Sequence, residues 1–341
     1  MPARRNPKPS TATRARRSGP GESPTPTADC PLAARLAGFP ARRKYLVGVS
    51  GGADSIALLA ALREAGFRRL VVCHFSHGMR PGAAAREARF VRRAAAGFGF
   101  RCGSGDVPGH ARACGLSLET AARELRFRFF EGCARAERCA RIFLGHHALD
   151  QFETVLLNLF RGSGLGGLRG MVPESRVGGL TVHRPFLDVW PEEIRAWLGA
   201  RKIRFLEDPS NTDRTHARNR LRAGITPAIV GAFGKSALRC TVRAAGLLRA
   251  DADFIEARVP VLGDRPRCEF LAGLPEALRN RAILRWLRES GVPEPGSAEV
   301  ARVAAMAASK GPPAKINLPG GFHARRRASS IFLQPGDPSR K

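Results

Sequence analysis

From Lys44 onward, short apolar runs alternate with stretches of helical periodicity, and this alternation restricts the possible folds more than any other feature. Residues 45–49 form an apolar run, which is followed by a turn with two glycines and by a stretch of helical periodicity. Residues 70–75 predict a second strand and residues 84–96 a second helix. Repeated strand, helix, strand units form a mostly parallel sheet that binds ligands at the carboxyl ends of its strands. The sequence therefore predicts an α/β fold, with a Rossmann-like, mostly parallel sheet and flanking helices.

The chain divides into three predicted regions. Residues 1–43 are rich in arginine and proline and offer little apolar surface to bury, so we expect a disordered basic arm. Residues 44–230 form the predicted catalytic domain, in which a strand at 141–144 leads into a helix that ends near residue 160. Residues 231–341 are expected to form a smaller, mainly helical region. Its predicted helices lie at 236–257, 275–289 and 298–308, and a β-hairpin is predicted from 315–321 and 330–333.

The net charge indicates the kind of partner. The 341 residues include 57 lysines and arginines against 29 aspartates and glutamates, a formal charge of +28. This charge makes a polyanion, most simply a nucleic acid, the expected partner. A general drift toward arginine is the alternative, since only seven of the basic residues are lysines. Residues 1–44 carry ten basic and two acidic side chains, so +8 belongs to the arm and +20 to the rest.

Location and membrane contact are also constrained by composition. No run of about 18 apolar residues is present, so we expect no membrane partner. The eight cysteines include no C-x-x-C pair, which favours free thiols in a reducing cytosol and a cytoplasmic location. An arginine- and serine-rich start also fits an organellar transit peptide, but little amphipathic periodicity supports that alternative.

The most specific local motif stands between the first strand and the first helix. It reads Ser50, Gly51, Gly52, Ala53, Asp54, Ser55. The glycines allow a close approach of the backbone to a ligand, and the backbone N–H groups and the helix dipole favour an anion. We interpret the turn as a phosphate cradle in which the serines donate hydroxyls and Asp54 holds a Mg²⁺ ion. The alternative is a glycine turn that merely caps a helix.

A Walker A loop is excluded as the phosphate site. Residues 231–236 end with the required glycine, lysine and serine, but Ile229 stands where the first glycine of that motif must be. The turn at Ser50 therefore remains the predicted phosphate site.

Several motifs in fixed order resemble a known family. The turn itself resembles that of the pyrophosphatase-loop ATPases, and the segment GHHALDQFET at 145–154 is similar to a block of the tRNA(Ile)-lysidine synthetase family. Further blocks that resemble this family lie at 77–80, 118–128, 161–168, 184–187, 207–211 and 218–222. The resemblance covers roughly residues 44–230 and is faint beyond them.

The resemblance implies a reaction and its participants. Enzymes of this family use ATP and free L-lysine to convert the wobble cytidine of a CAU-anticodon isoleucine tRNA into lysidine, by way of an adenylated tRNA. AMP and pyrophosphate are the other products. By resemblance, Asp150 and Glu153 are the acidic pair near the reacting centre. Together with Asp54 and Arg123 they are the expected catalytic residues, and Asp54 and Asp150 are the expected Mg²⁺ ligands. The mainly helical region is expected to bind tRNA.

The spacing of these side chains supports the roles that the resemblance implies. Asp150 and Glu153 are three residues apart and so share one helix face. Arg123 and Arg126 share another face and can clamp phosphate; an exposed basic face is the alternative. The family usually has two consecutive aspartates, the first of which is Leu149 here. Because Asp150 rather than Leu149 is in register with Glu153, we expect the acidic pair to function.

Other segments carry weaker expectations. The adjacent His146 and His147 do not converge on one ion, which favours packing or helix entry, with His147 the better candidate for the site. Residues 162–170 hold too many glycines for a helix and predict a mobile loop. Residues 207–222 either contact RNA phosphates or brace the catalytic domain.

Two other functions stay open at the level of sequence. A related loop ATPase that thiolates tRNA would need a persulfide cysteine or an iron–sulfur cluster, and the missing C-x-x-C argues against it. A non-catalytic tRNA-binding descendant is suggested by Leu149. The oligomeric state is also open, with a homodimer as one alternative.

Overall fold

A computed structural model describes residues 32–77, 82–207, 217–308 and 314–335. Some of the segments with sequence-based predictions lie partly outside these ranges. They are residues 1–31 of the predicted arm, residues 78–80 of one block, residues 208–211 of another, and residues 208–216 of the segment 207–222.

Six strands form the main sheet, and the order of its strands locates a binding crevice. The strands are β1 (Tyr45–Gly48), β2 (Leu70–Ser76), β3 (Gly99–Ser104), β4 (Arg141–Leu144), β5 (Glu174–Val177) and β6 (Leu180–His183). They are arranged in the order β3-β2-β1-β4-β6-β5, and the pairs β1–β2, β1–β4 and β2–β3 are parallel. After β1, the chain adds β2 and β3 on one side of β1 and then β4, β5 and β6 on the other side. The topological switch point therefore lies between β1 and β4.

The helices of the sheet region separate the strands as predicted. They are α1 (Ala53–Glu64), α2 (Ala83–Ala94), α3 (Val107–Cys114), α4 (Leu118–Glu137), α5 (Ala148–Phe160), α6 (Leu165–Leu168) and α7 (Pro191–Ala200). β1 and β2 are almost entirely buried, as expected of parallel strands covered on both faces. The predicted fold class, an α/β fold with a mostly parallel sheet and a mainly helical region after it, is confirmed.

The second half of the chain is mainly helical and ends in a small sheet. Its helices are α8 (Ala217–Arg220), α9 (Thr226–Phe233), α10 (Ser236–Glu256), α11 (Cys268–Gly273), α12 (Glu276–Glu289) and α13 (Ser297–Ala308), and a π-helical segment covers Leu221–Ile225. Three antiparallel strands follow, namely β7 (Lys315–Asn317), β8 (His323–Arg327) and β9 (Ser330–Gln334). Ile283, Leu287, Val303, Ala324 and Ile331 are fully buried in the core that α11–α13 share with this sheet.

Two predicted boundaries differ from the structure. The predicted arm extends to residue 43, but Leu32–Leu36 is a 3-10 helix in which Leu32 and Leu36 are buried, so the arm cannot include them. The predicted boundary at residue 230 falls inside α9, where the helical hydrogen bonds continue. The predicted hairpin was also incomplete, because β8 lies between the two segments that were expected to pair.

The residues group into two compact units that are not contiguous in sequence. Among the described residues, the first unit contains those up to Gly145, Val177–Thr181 and 189–207, and the second contains the others. Within the described ranges, no helix is long and apolar enough to cross a membrane.

Candidate active site

The turn between β1 and α1 gathers its backbone donors around two hydroxyl groups. The backbone N–H groups of Ser50 and Gly51 donate to the Ser55 hydroxyl oxygen at 3.2 and 3.3 Å, and the Gly52 N–H donates to the Ser50 hydroxyl at 3.3 Å. The Ser55 hydroxyl in turn donates to the Gly52 carbonyl at 3.0 Å. Three consecutive N–H groups thus donate to the hydroxyls of Ser50 and Ser55 at the start of a twelve-residue helix, and a helix N-terminus favours an anion.

Glycine is required at the centre of this turn. Gly51 has a φ of +102°, a conformation that L-residues rarely adopt, and a Cβ there would lie 3.0 Å from Leu206 Cδ1. The Leu206 N–H also donates to the Gly51 carbonyl at 2.9 Å. Asp54 lies in the first turn of α1 and Ala53 begins the helix, so the whole motif occupies the carboxyl end of β1 beside the switch point.

A second glycine allows the strand next to β1 to approach this turn. Gly145 directly follows β4, and a Cβ at this position would lie 2.9 Å from the carbonyl oxygen of Asp54 and 3.2 Å from the backbone nitrogen of Ser55. Both neighbours are backbone atoms, which cannot move aside without displacing the first turn of α1. Sequence reasoning placed Gly145 in a family block but did not find this contact.

We expect Gly145→Ala to destabilise the protein by about 1–3 kcal/mol, since the added methyl group overpacks against backbone. It should also weaken ATP binding, because the displaced backbone carries the phosphate cradle. Gly132→Ala is the matched control: Gly132 lies within α4 with no atom within 4 Å of its would-be Cβ, so this change should stabilise by up to about 1 kcal/mol. Denaturant unfolding and ATP titration of both variants measure the effects. If Gly145→Ala and Gly132→Ala had the same stability and ATP affinity, the close contact between residue 145 and the backbone of α1 would be contradicted.

The end of β1 is also held from the neighbouring strand. His74 on β2 is 1% exposed, and its Nδ1 lies 2.9 Å from the Val49 carbonyl oxygen, just before the turn. A carbonyl only accepts, so Nδ1 carries the proton in this contact. His74 was not singled out from the sequence, because a histidine inside an apolar strand carries no pattern of its own.

In the second unit, His147 and Asp150 cap the N-terminus of α5 reciprocally. The Asp150 N–H donates to His147 Nδ1 at 3.2 Å, and the His147 N–H donates to Asp150 Oδ2 at 3.1 Å. The prediction that His147 serves helix entry is confirmed. Leu149 takes no part in this capping box, so the missing first aspartate of the family pattern does not disturb it.

Glu153 is held by two arginines from the segment 217–222. Arg222 forms a bidentate ion pair with it, Nε to Oε1 at 2.7 Å and Nη2 to Oε2 at 3.0 Å, and Arg218 Nε lies 3.4 Å from Oε2. Arg222 Nη2 also lies 3.4 Å from Asp150 Oδ1. The two predicted carboxylates are therefore brought together through Arg222. Residues 207–222 were predicted either to contact RNA phosphates or to brace the catalytic domain. Arg218 and Arg222 have the second role, because both contact Glu153.

The two carboxylates differ in environment. Glu153 is fully buried, whereas the Asp150 side chain is 15% exposed. Burial raises the pKa of Glu153, Asp150 adds to this, and Arg222 and Arg218 oppose it. Burial would also raise the pKa of Asp150, but the nearby imidazoles of His147 and His146, Arg218 and the His147 N–H hold it below its ordinary value. Asp150 is thus kept ionised, as a ligand of a cation must be.

Arg123 and Arg126 lie on α4, as predicted, but only Arg123 is exposed. The Arg123 guanidinium lies 5.0 Å from the centre of the Phe127 ring, which orients the guanidinium by a cation–π contact. α4 belongs to the first unit with the turn, whereas Asp150 and Glu153 belong to the second.

The glycine-rich segment after α5 differs from its prediction as a mobile loop. It contains the short helix α6, and the Asn158 side chain donates to the Gly167 carbonyl at 2.8 Å. Buried Gln151 accepts from the Met171 N–H at 2.7 Å and donates to the Met171 carbonyl at 3.0 Å. The side chains of Asn158 and Gln151 attach the segment to α5. The mobile loop was predicted from the glycine content alone, which gives no information about these hydrogen bonds.

A glycine turn after the first strand, at the switch point of a parallel sheet, is typical of nucleotide-binding α/β proteins, and the PP-loop domain family, matched below, is one such class. The family model of the PP-loop domain matches residues 30–229, and the family model of the TilS substrate binding domain matches residues 267–332. In fold, the chain is similar to a U34-tRNA thiolase from Methanococcus maripaludis, with a TM-score of 0.51, 16% identity, and coverage of 64% of this chain and 76% of that one.

Relatives with assigned names narrow this class. The chain is 35% identical over 318 residues to a tRNA(Ile)-lysidine synthase of Streptomyces coelicolor, covering 89% of this chain and 88% of the relative. It is 37% identical over 325 residues to a Thermus thermophilus protein of the same name, covering 89% of this chain and 59% of that longer one. The chain belongs to the tRNA(Ile)-lysidine synthase family.

Proposed function

We propose that this protein is an ATP-dependent ligase that joins lysine to C2 of the wobble cytidine in a CAU-anticodon isoleucine tRNA. The observation that carries the proposal is the oxyanion-binding turn at the switch point, in a chain of the lysidine synthase family. The net charge of +28 suits a tRNA partner, because basic side chains bind its phosphates.

The proposed reaction has two steps. The C2 carbonyl oxygen of the cytidine attacks the α-phosphorus of ATP, and pyrophosphate leaves. The ε-amine of free lysine then attacks C2, AMP leaves with the former carbonyl oxygen, and the amine loses its proton. Activation is needed because oxide is a poor leaving group, whereas AMP is a good one. The cytidine must be unpaired to reach the site, as it is in an anticodon loop.

The turn from Ser50 to Ser55 is the proposed binding site for the pyrophosphate end of ATP. Its N–H groups donate to the hydroxyls of Ser50 and Ser55, which phosphate oxygens would replace as acceptors. We assign Arg123 to the phosphates as well, since its guanidinium is exposed and oriented by Phe127.

Asp54 in the first unit and Asp150 in the second are each a proposed Mg²⁺ ligand, as the sequence predicts. Mg²⁺ in nucleotide sites is usually held by one or two carboxylates together with phosphate oxygens and water, and the ionised, partly exposed Asp150 fits this pattern. Within the described residues, no group of three acidic, histidine or cysteine side chains could hold a metal, so the phosphates would have to supply further ligands. When bound, the ion neutralises phosphate charge.

Glu153 is better described as a positioning residue than as a proton acceptor. Its two oxygens are both engaged by arginines, and it is fully buried. We propose that it fixes Arg222, which in turn fixes Asp150.

The decisive assay mixes the protein with ATP, Mg²⁺, labelled lysine and CAU-anticodon isoleucine tRNA. The proposal predicts that label enters the tRNA and that exchange of labelled pyrophosphate into ATP requires tRNA. Incorporation of sulfur instead would favour a thiolase, and tRNA binding without any ATP turnover would favour a non-catalytic protein. The same tRNA with its wobble cytidine changed to uridine is the matched control and should accept no lysine.

The predicted basic arm can be tested separately from catalysis. Because Leu32 and Leu36 are buried, the truncation should remove residues 1–31 and no more. These 31 residues hold six basic and two acidic side chains, a net charge of +4. We expect weaker tRNA binding at low salt and a shallower salt dependence, by about one unit of slope for each phosphate that the arm neutralises. Pyrophosphate exchange at saturating tRNA should be unchanged, and unaltered tRNA binding would refute the arm's role.

A further inference from the structure

Three side chains outside the nucleotide site form a thiol–imidazole–carboxylate series. Cys114 is the last residue of α3, and His110 lies one turn earlier on the same helix. The Cys114 sulfur lies 3.6 Å from His110 Nδ1, within the longer hydrogen-bonding range of sulfur, and His110 Nε2 lies 2.9 Å from Glu124 Oε2 on α4. All three residues belong to the first unit.

The donors and acceptors available to the three side chains determine where the protons lie in the two hydrogen bonds. An ionised carboxylate only accepts, so the proton on the neutral His110 ring is on Nε2 and points to Glu124. Nδ1 then carries the lone pair, and the Cys114 S–H group donates to it. A nucleophile in contact with a base, and a base oriented by an acid, is the arrangement that activates nucleophilic thiols in proteins.

The base is fixed while the thiol is accessible. α3 is anchored on α4 by a buried cluster of Val107, Ala111 and Ala121, and the His110 side chain is only 13% exposed. The Cys114 residue itself is exposed. A small molecule can therefore reach the sulfur, whereas the imidazole stays directed at it.

The surrounding charges show why the base is needed. Cys114 lies at the C-terminal end of α3, where the helix dipole disfavours a thiolate but favours an imidazolium. Arg112 is on the same helix, and Arg128 Nη2 on α4 lies 3.8 Å from the same Glu124 oxygen that His110 contacts. His110 Nδ1 is therefore the group that takes the proton of the thiol.

We propose that Cys114 is a nucleophilic thiol, activated by His110 and Glu124, that forms mixed disulfides with small disulfide compounds. The S–H proton passes to His110 Nδ1, the sulfur attacks one sulfur of the disulfide, and the S–S bond of the reagent breaks. The departing thiolate takes the proton from His110, so the exchange balances without an external oxidant or reductant. This inference does not depend on the proposed lysidine synthase activity.

The other cysteines provide internal comparisons. Cys73, Cys133 and Cys139 are buried, whereas Cys102 on β3 is exposed like Cys114. Partial burial raises the pKa of the Cys102 thiol, with Arg92 acting in the opposite direction. Cys102 is therefore the reference for an exposed thiol without a hydrogen-bonded base, since its register partner His74 pairs Nδ1 with the Val49 carbonyl and makes no hydrogen bond to the thiol.

The test is reaction of the intact protein with oxidised glutathione near pH 7, with occupancy at each cysteine followed by mass spectrometry. We expect Cys114 to react about tenfold faster than Cys102, and its rate to persist to lower pH. His110→Gln should reduce the Cys114 rate to that of Cys102, and Glu124→Gln should reduce it a fewfold. Equal rates at Cys114 and Cys102 in the unchanged protein would overturn the proposal, whatever the stability of the variants.

Discussion

Arg222→Ala should lower the free energy of unfolding by about 3 kcal/mol, the lower end of the cost of breaking a buried ion pair. Glu153 is fully buried, and the variant removes the bidentate partner of its carboxylate. The remaining Arg218, whose Nε is 3.4 Å from Oε2, limits the loss. Denaturant unfolding measures this loss, and an unchanged free energy of unfolding would mean that the ion pair between Arg222 and Glu153 does not form in solution.

The opposite substitution is predicted to cost less. The Arg222 side chain is 32% exposed, so in Glu153→Leu its guanidinium can still reach water and Asp150. The double variant Glu153→Leu with Arg222→Met replaces the pair by apolar side chains and should recover most of the stability lost in Arg222→Ala. Lysidine formation should stay low in all three variants, because Arg222 is either absent or no longer held by Glu153, and in both cases Asp150 is not fixed. Recovery of activity together with stability would contradict the positioning role of Glu153.

The pH dependence of Arg222→Ala follows from the same buried carboxyl. The pKa of Glu153 is already above its ordinary value through burial, and removal of Arg222, which lowers it, should raise it further. The folded variant then binds this proton more tightly than the unfolded chain does, so acid favours the folded state. The difference in the free energy of unfolding between Arg222→Ala and the unchanged protein should therefore become smaller as the pH falls toward the ordinary pKa of glutamate.

The sheet region could be predicted from sequence because its strands are buried on both faces. Runs such as residues 70–75 are apolar except for His74, and the observed β2 differs from the prediction by one residue. β8 was missed because it reads His-Ala-Arg-Arg-Arg, with only Ala324 facing the core. A strand whose pairing is set by its two neighbours leaves little hydrophobic pattern of its own.

The site was predictable only where its chemistry is local. The turn at Ser50 and the spacing of Asp150 and Glu153 depend on consecutive residues or on one helix face. The partners of Glu153 come from about 65 residues further along the chain, and no periodicity links Arg222 to it. The contact of Gly145 with the first turn of α1 likewise depends on the order of strands in the sheet.

Asp54→Asn should reduce the rate of lysidine formation by about 10²–10³-fold, the usual cost of removing one electrostatic contact to a transition state. Asp54 lies in the first turn of α1, two residues after Gly52, and is our proposed Mg²⁺ ligand. An amide is a poorer ligand for a hard cation than a carboxylate, so the Mg²⁺ concentration for half-maximal rate should also rise. The fold should tolerate the change, since a charge at a helix N-terminus contributes about 0.3–1 kcal/mol.

Asp106→Asn is the matched control for this loss of charge. Asp106 caps the N-terminus of α3 in the same unit, and its Oδ1 accepts from the Gly109 N–H at 2.9 Å. Asparagine caps a helix as well as aspartate does, so this variant removes one negative charge near a helix N-terminus and keeps the hydrogen bond. Its rate and Mg²⁺ dependence should match those of the unchanged protein. If both variants lose activity equally, the effect of Asp54 comes from the helix and not from a metal ion or phosphate.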